Sequence, residues 1–322
     1  MPHIRMTTTP ASAAPPRDLR PVRALGLYLA AVFIGGALLA PWLYWAVHSL
    51  AESVPALEKI SRMKFSRYLN RGLLITALAG LPVFIRAAGI RSWRDVGVAP
   101  GLVRWRGFAA GFALGFTSLA AVCAVALLAG GRIMKDRTPG ELAAQFLGVL
   151  ATALIVAVIE ELLFRGAIFG SLRRAMRWPA ALAVSSGIYA ITHFMERAAN
   201  PEKVDWLSGI RILPTTLAGM TEVRTLVPAV LSLALAGTIL GLAYQWTGDL
   251  SASIGIHAGW IFWLKFYGFA TRRSPGADEW FWGTGKVVDG WMALVALVVV
   301  LAVLLRLNGR RSRSDSVTAP TS

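Results

Sequence analysis

Long apolar runs alternate with short basic segments along most of the chain. The runs long enough to be considered as membrane spans are residues 24–46, 68–85, 107–129, 142–172, 179–195, 226–246, 250–269 and 289–305. A helix needs about 20 predominantly apolar residues to cross the hydrocarbon core of a bilayer. The pattern therefore predicts an all-α fold, a polytopic membrane helical bundle of about eight transmembrane helices. The run at 68–85 is the least apolar and is also compatible with an interfacial helix.

Both ends of the chain differ from this pattern. Residues 1–22 are rich in Pro, Thr, Ala and Arg without apolar periodicity, and residues 307–322 are polar and basic. Such composition is typical of disordered tails. We expect one transmembrane domain at residues 23–306, with disordered tails at 1–22 and 307–322.

Composition supports a membrane protein and limits its partners. Of 322 residues, 56% are hydrophobic and only 16% are charged, and the mean hydropathy is +0.58. The formal charge of +16 comes from basic residues that lie between the apolar runs rather than in one patch, so we expect membrane lipids and no nucleic acid as partners. The single cysteine, Cys123, excludes an intrachain disulfide and a cysteine-clustered metal site.

The run at 142–172 contains three charged residues, Glu160, Glu161 and Arg165. Each charged group at the centre of a membrane helix costs about 2.5–3.5 kcal/mol on insertion scales, so three of them need a reason. Glu161 and Arg165 are i,i+4 neighbours and can form an ion pair, whereas Glu160 points about 140° away from Arg165. Glu160 is therefore a candidate proton acceptor from water, and a buried polar clamp between helices is the alternative.

Two of the four histidines, His193 and His257, also fall inside apolar runs. At about 1.5 Å per residue, and counted from one membrane face, His193, His257 and Glu161 all lie within the roughly 30 Å hydrocarbon layer, so they could converge. Two histidines and two glutamates can hold a divalent ion with an open position, or can polarise a water molecule without one.

These residues resemble the three motifs of the CPBP family, which comprises CAAX prenyl endopeptidases and bacteriocin-processing enzymes and is also called Abi. Glu160, Glu161 and Arg165 match its Glu-Glu-x-x-x-Arg motif, and His193 matches Phe-x-x-x-His with Tyr189 in place of Phe. In the third motif, His-x-x-x-Asn, His257 matches but Ile261 stands at the Asn position. The resemblance covers about residues 91–269.

The resemblance implies an intramembrane endopeptidase that cleaves a peptide or membrane-protein substrate with water, without a covalent intermediate. Glu160 with His193 would activate the water, Glu161 with Arg165 would hold the geometry, and His257 would orient the carbonyl, bind metal or stabilise the oxyanion. A zinc ion, if one is used, would be bound by Glu160, His193 and His257, and the resemblance leaves open whether glutamate acts alone. Ile261 can neither ligate nor donate a hydrogen bond, and Ser253, one turn before His257, is a substitute polar group.

The sequence leaves more than one orientation in the membrane and more than one function open. Lys and Arg are almost equally divided between the two sides of the predicted spans, and arginines clustered after the second and fourth runs modestly favour cytoplasmic termini. We therefore expect a multi-pass protein of a bacterial plasma membrane with both termini in the cytoplasm. The alternatives to a peptidase are a membrane scaffold or maturation factor that uses the polar cluster for packing or partner binding, and an ion or proton transporter. The substrate, and whether it is prenylated, are open.

Overall fold

A computed structural model describes residues 18–98, 104–193, 200–218, 223–283 and 290–317. The helices are α1 (Arg20–Ala51), α2 (Glu58–Ser61), α3 (Phe65–Ala87), α4 (Trp105–Leu128), α5 (Pro139–Glu161), a π-helical segment (Leu162–Phe169), α6 (Gly170–Ala175), α7 (Trp178–His193), α8 (Ser208–Ile212), α9 (Thr215–Ala218), α10 (Val223–Thr247), α11 (Ser251–Ala270), α12 (Glu279–Trp282) and α13 (Trp291–Val317). Two 3₁₀ turns lie at Pro55–Leu57 and Trp93–Val96. Strands β1 (Arg132–Met134) and β2 (Thr271–Arg273) form a short antiparallel ribbon.

Within the described ranges, six helices are long and apolar enough to cross a membrane. They are α1, α3, α4, the continuous helix Pro139–Ala175 formed by α5, the π-helical segment and α6, and the apolar parts of α10 and α13. The predicted all-α bundle is confirmed, but the predicted number of eight transmembrane helices is not. The two other predicted spans form α7 and α11, the helices that carry His193 and His257.

The described part of α7 ends at His193, directly before residues outside the described ranges, and its 16 residues extend about 24 Å. The case of α11 has a physical basis. The 20-residue α11 packs against α4, α5 and α10, and most of its side chains are buried. An interior helix contacts protein rather than lipid, so α11 does not need the uniformly apolar surface by which a spanning helix is recognised.

The predicted tails are only partly described. Residues 1–17 and 318–322 lie outside the described ranges, as do residues 194–195 and 289 of two predicted spans. The first helix already begins at Arg20, inside the predicted N-terminal tail. The last helix continues past residue 307, the predicted start of the C-terminal tail, to Val317.

Glycines bring the backbones of α4 and α11 together. They are Gly111 and Gly115 on α4 and Gly255 and Gly259 on α11, four residues apart on each helix. A Cβ on Gly115 would overlap the carbonyl oxygen of Ile256, and a Cβ on Gly259 would overlap the amide nitrogen of Phe116. Small residues at this spacing allow close helix crossings in membranes. Because His257 is two residues from each α11 glycine, it lies on the opposite face of the helix.

A second close pair, α1 and α3, forms one side of the bundle. A Cβ on Gly72 would overlap the carbonyl oxygen of Gly36, so these backbones also touch. The Tyr28 hydroxyl, buried between the two helices, donates a 2.8 Å hydrogen bond to the carbonyl oxygen of Ala77. The pair therefore provides a wall of defined position beside the π-helical segment.

The segment before α4 supports the π-helical segment from one end. Ser92 and Asp95 form a capping box on the 3₁₀ turn Trp93–Val96, and Arg174 of α6 lies 3.4 Å from the Asp95 carboxylate. The backbone N–H of Arg91, that of Ser92 and the nearby guanidinium stabilise the ionised form and lower the pKa of Asp95. This turn buries Val96 and fixes the end of α6.

Replacing Gly115 with alanine tests the α4–α11 crossing. We expect Gly115→Ala to lower the free energy of unfolding by about 1–3 kcal/mol, because the added methyl group must push backbone away from backbone. Gly148→Ala is the control, since a Cβ on this α5 glycine meets nothing within 4 Å. The measurement is thermal unfolding of the purified chain in detergent, and equal stability of the two variants would contradict the tight crossing.

Candidate active site

An unusual helical turn carries the charged residues of the fourth predicted span. After Glu161 the hydrogen bonding changes from α-helical to π-helical over Leu162–Phe169, and the side chains from Phe164 to Phe169 are buried. π-Helical turns are rare and occur frequently at functional sites. Gly166 allows the close approach of this segment to Val96, since a Cβ there would lie 2.7 Å from the Val96 carbonyl oxygen.

Glu161 is a fully buried carboxylate with charged and polar partners on α11 and on its own helix. Its Oε1 lies 2.9 Å from Nη1 of Arg165, the i,i+4 pairing that the sequence spacing predicts. The same oxygen lies 2.8 Å from Nδ1 of His257. A buried charge without partners is strongly destabilising, so this interaction ties α11 to the end of α5.

Arg165 extends the same cluster to two further helices. Its Nη2 donates a 3.3 Å hydrogen bond to the carbonyl oxygen of Gly237 in α10. The guanidinium also lies 4.5 Å from the ring centroid of Tyr189 in α7, a cation–π geometry. Glu161 and Arg165 together thus connect α5, α7, α10 and α11.

Glu160 has a different environment from its neighbour. Its Oε2 lies 3.6 Å from Nε2 of His193 and 3.6 Å from Nε2 of His257. That oxygen is buried and has no hydrogen-bond partner among the described residues, although the side chains of Glu160 and His193 as a whole are 25% and 30% exposed. The structure therefore brings together the five predicted site residues, Glu160, Glu161, Arg165, His193 and His257.

The hydrogen bonds of both histidines assign their tautomers. Nδ1 of His193 lies 2.8 Å from the carbonyl oxygen of Tyr189, and Nδ1 of His257 lies 2.8 Å from the Glu161 carboxylate. Both partners accept hydrogen bonds, so each Nδ1 carries the proton. In the neutral rings, both Nε2 lone pairs then face Glu160.

The expected zinc ligands have suitable donor atoms but not a metal-binding arrangement. Among the described residues, no group of three or more His, Cys, Asp or Glu side chains is placed to hold a metal ion. This includes the predicted ligands Glu160, His193 and His257.

At the Asn position of the third motif, the structure places the apolar side chain of Ile261. Ile261 is buried one turn after His257 on α11. The proposed substitute, Ser253, is also buried, and its Oγ donates a 3.0 Å hydrogen bond to the carbonyl oxygen of Leu250. The Ser253 hydroxyl thus bonds to the start of its own helix and also lies beside the Glu161 carboxylate.

A cavity of about 280 Å³ opens beside Glu160 and His193. Its lining is mostly apolar and comes from α1, α3, α5, the π-helical segment and α7. Asn70 of α3 contributes an amide to the lining. Sequence analysis missed Asn70, although an amide in an apolar run was an available signal, and it gave Tyr189 no role.

One comparison with known proteins gives a match. Residues 142–263 match the family model described as Rce1-like, type II CAAX prenyl endopeptidase. The matched range begins in α5, ends in α11 and includes all five predicted site residues. No curated protein and no solved structure matches the chain.

The two adjacent glutamates should differ when each is replaced by glutamine. We expect Glu161→Gln to lower the free energy of unfolding by about 3–5 kcal/mol, because it leaves the buried Arg165 without a counter-charge. Glu160→Gln, the matched control, should change stability by less than about 1 kcal/mol, since its carboxylate is partly exposed and has no cationic partner. Thermal unfolding in detergent measures both, and similar losses would contradict the different roles assigned to the two carboxylates.

Proposed function

We propose, from the match of residues 142–263 to the Rce1-like family of type II CAAX prenyl endopeptidases, that the chain is a member of this family and hydrolyses a peptide bond within the membrane. The observation that carries the proposal is the approach of Glu160 Oε2 to Nε2 of both His193 and His257, beside a cavity. The family match and the apolar helices make the chain a multi-pass integral membrane protein.

Glu160 and His193 suit the activation of water. Both present acceptors, a carboxylate oxygen and an Nε2 lone pair, and the 3.6 Å between them is too long for a direct hydrogen bond. A water molecule that donates one hydrogen to each would satisfy both groups. Its oxygen lone pairs would then face away from them, towards a substrate carbonyl carbon in the cavity.

In the proposed reaction, Glu160 acts as general base and then as general acid. The water oxygen forms a bond to the carbonyl carbon while its proton passes to Glu160, and the carbonyl oxygen becomes an oxyanion. When the tetrahedral intermediate collapses, the C–N bond breaks and Glu160 returns the proton to the leaving amine. The products are a carboxylic acid and an amine, with no covalent enzyme intermediate.

Glu161 and Arg165 would act by holding the site rather than by contacting the substrate. Both are buried, and Glu161 fixes the ring of His257 through its Nδ1 proton. His257 is thereby held with its Nε2 3.6 Å from Oε2 of Glu160.

The cavity supports a substrate with apolar character. Apolar side chains of α1 and α3, among them Val32 and Leu73, face the same space as Glu160 and His193. An apolar segment of a membrane protein, or a lipid chain attached to a peptide, would be removed from water there. We therefore propose that substrates enter along this wall and that a prenyl group on a peptide increases its affinity.

A zinc ion bound by Glu160, His193 and His257 stays a prediction. When bound, zinc would polarise the water and the substrate carbonyl as a Lewis acid. The hydrogen bond at Nδ1 of His193 leaves its Nε2 available as a ligand, whereas Nε2 of His257 would have to exchange the Tyr189 hydroxyl for the metal. Metal content, together with activity before and after treatment with a chelator, tests it in the same preparation as the hydrolysis assay.

Orientation in the membrane can be tested directly. We propose a plasma-membrane protein with cytoplasmic termini, supported by Arg174 of α6, which pairs with Asp95 in the loop between α3 and α4, and by Arg104 at the start of α4. This combination is typical of a cytoplasmic membrane interface. A tag on the N-terminus should resist protease added to right-side-out membranes and should be digested after lysis. Digestion of the tag without lysis would show that the N-terminus lies outside the cytoplasm.

Hydrolysis by wild type, Glu160→Gln and His193→Ala is the central test. With fluorogenic peptides that carry or lack a prenyl group, we expect wild type to cleave and to prefer the prenylated peptides. The variants should lose about 10²-fold or more in kcat, the contribution typical of general acid–base catalysis, while remaining folded. If wild type cleaves none of the peptides and Glu160→Gln mainly lowers stability, the scaffold function is favoured instead.

A further inference from the structure

Tyr189 lies at the centre of the site residues, in the place where the second motif has phenylalanine. Its ring is buried, 4.5 Å from the guanidinium carbon of Arg165 and 4.2 Å, between ring centroids, from His193. It also makes an edge contact with Phe164 at 5.1 Å. A phenylalanine could make all of these ring contacts, so packing does not require the hydroxyl.

The hydroxyl of Tyr189 has a specific partner. Its oxygen lies 3.4 Å from Nε2 of His257. Because Nδ1 of His257 donates to Glu161, Nε2 of the neutral ring is an acceptor, and the phenol must be the donor of this pair. The neutral His257 consequently has no proton to offer a substrate carbonyl.

The titratable groups next to Glu160 do not supply a neutral donor either. Glu160 and Nε2 of His193 are acceptors, and the guanidinium of Arg165 is buried against Glu161 and Gly237. Ile261, on the same face of α11 as His257 and one turn further, is apolar. The phenol of Tyr189 is a neutral donor, and it lies 3.4 Å from the same His257 Nε2 that is 3.6 Å from Oε2 of Glu160.

We infer that Tyr189 supplies the hydrogen bond that stabilises the oxyanion, an inference that rests on the proposed peptidase function. Before substrate binds, the phenol donates to Nε2 of His257. As the tetrahedral intermediate forms, the phenol donates instead to the negatively charged carbonyl oxygen. The proton stays on the phenol throughout, so proton transfer remains the task of Glu160. Tyr189 thus replaces a donor that the third motif cannot provide through Ile261.

Tyr189→Phe tests this role because it keeps the ring and removes only the hydroxyl. Loss of one oxyanion donor typically costs about 10²–10³-fold in kcat, and we expect a loss of that size with KM changed less than about threefold. The melting temperature should stay close to that of wild type, since Arg165 and His193 keep their aromatic contact. Unchanged kcat, or an effect confined to KM, would overturn the inference.

A rescue experiment separates oxyanion stabilisation from the positioning of His257. In the Tyr189→Phe background, Ile261→Asn places an amide donor one turn from His257 and should restore kcat by at least about tenfold. Ile261→Leu, the matched apolar control, should restore nothing. Equal activity of these two double variants, each verified as folded by its melting temperature, would show that the hydroxyl merely orients His257 and would overturn the inference.

The same assay distinguishes this inference from the proposed function. If wild type cleaves, Glu160→Gln does not, and Tyr189→Phe is fully active, the peptidase function stands and the role of Tyr189 is wrong. If wild type and Glu160→Gln are equally inactive on the prenylated and unprenylated peptides, the proposed function fails and the role of Tyr189 fails with it.

Discussion

The buried carboxylate of Glu161 is the constraint on which the site depends. A charge removed from both water and lipid headgroups must be compensated nearby, and Arg165 and His257 are its partners at 2.9 Å and 2.8 Å. Since Arg165 in turn contacts α7 and α10, this one charge sets the relative positions of four helices. The position of His257 is further fixed by the close contact of α11 with α4, which the glycines on the other side of α11 allow.

The two neighbouring glutamates show how environment divides roles between chemically identical groups. Glu161 faces a permanent cation and a histidine proton donor, so it is held as a structural anion. Glu160 points to two imidazole lone pairs and a cavity, where it has no fixed proton donor among the described residues. Placing paired carboxylates in contrasting surroundings is a general way to give one of them freedom to exchange protons. Adjacent positions on a helix achieve this here because successive side chains point about 100° apart.

Sequence analysis predicted the part of the site that follows from local spacing. The Glu161–Arg165 pair follows from an i,i+4 relation, and the unusual cost of charges and histidines in apolar runs identified Glu160, His193 and His257. It missed features that depend on contacts between distant segments: the π-helical segment, the Tyr189 hydroxyl beside His257, and Asn70 in the cavity wall. The number of spans also differed. The helix α11 is enclosed by other helices, so its composition does not have to be as apolar as that of a helix that faces lipid.

The predicted site residues and much of the cavity wall come from different parts of the chain. The five predicted site residues all lie within residues 142–263, the range of the family match, whereas much of the cavity wall comes from α1 and α3, which precede it. The α1–α3 pair is held by its own glycine contact and by the Tyr28 hydrogen bond, so it can change its cavity-facing residues without altering the buried Glu161 cluster. In the proposed peptidase, substrate preference can therefore diverge through α1 and α3 while Glu160 and His193 stay fixed, because the interactions that stabilise the two parts are largely separate.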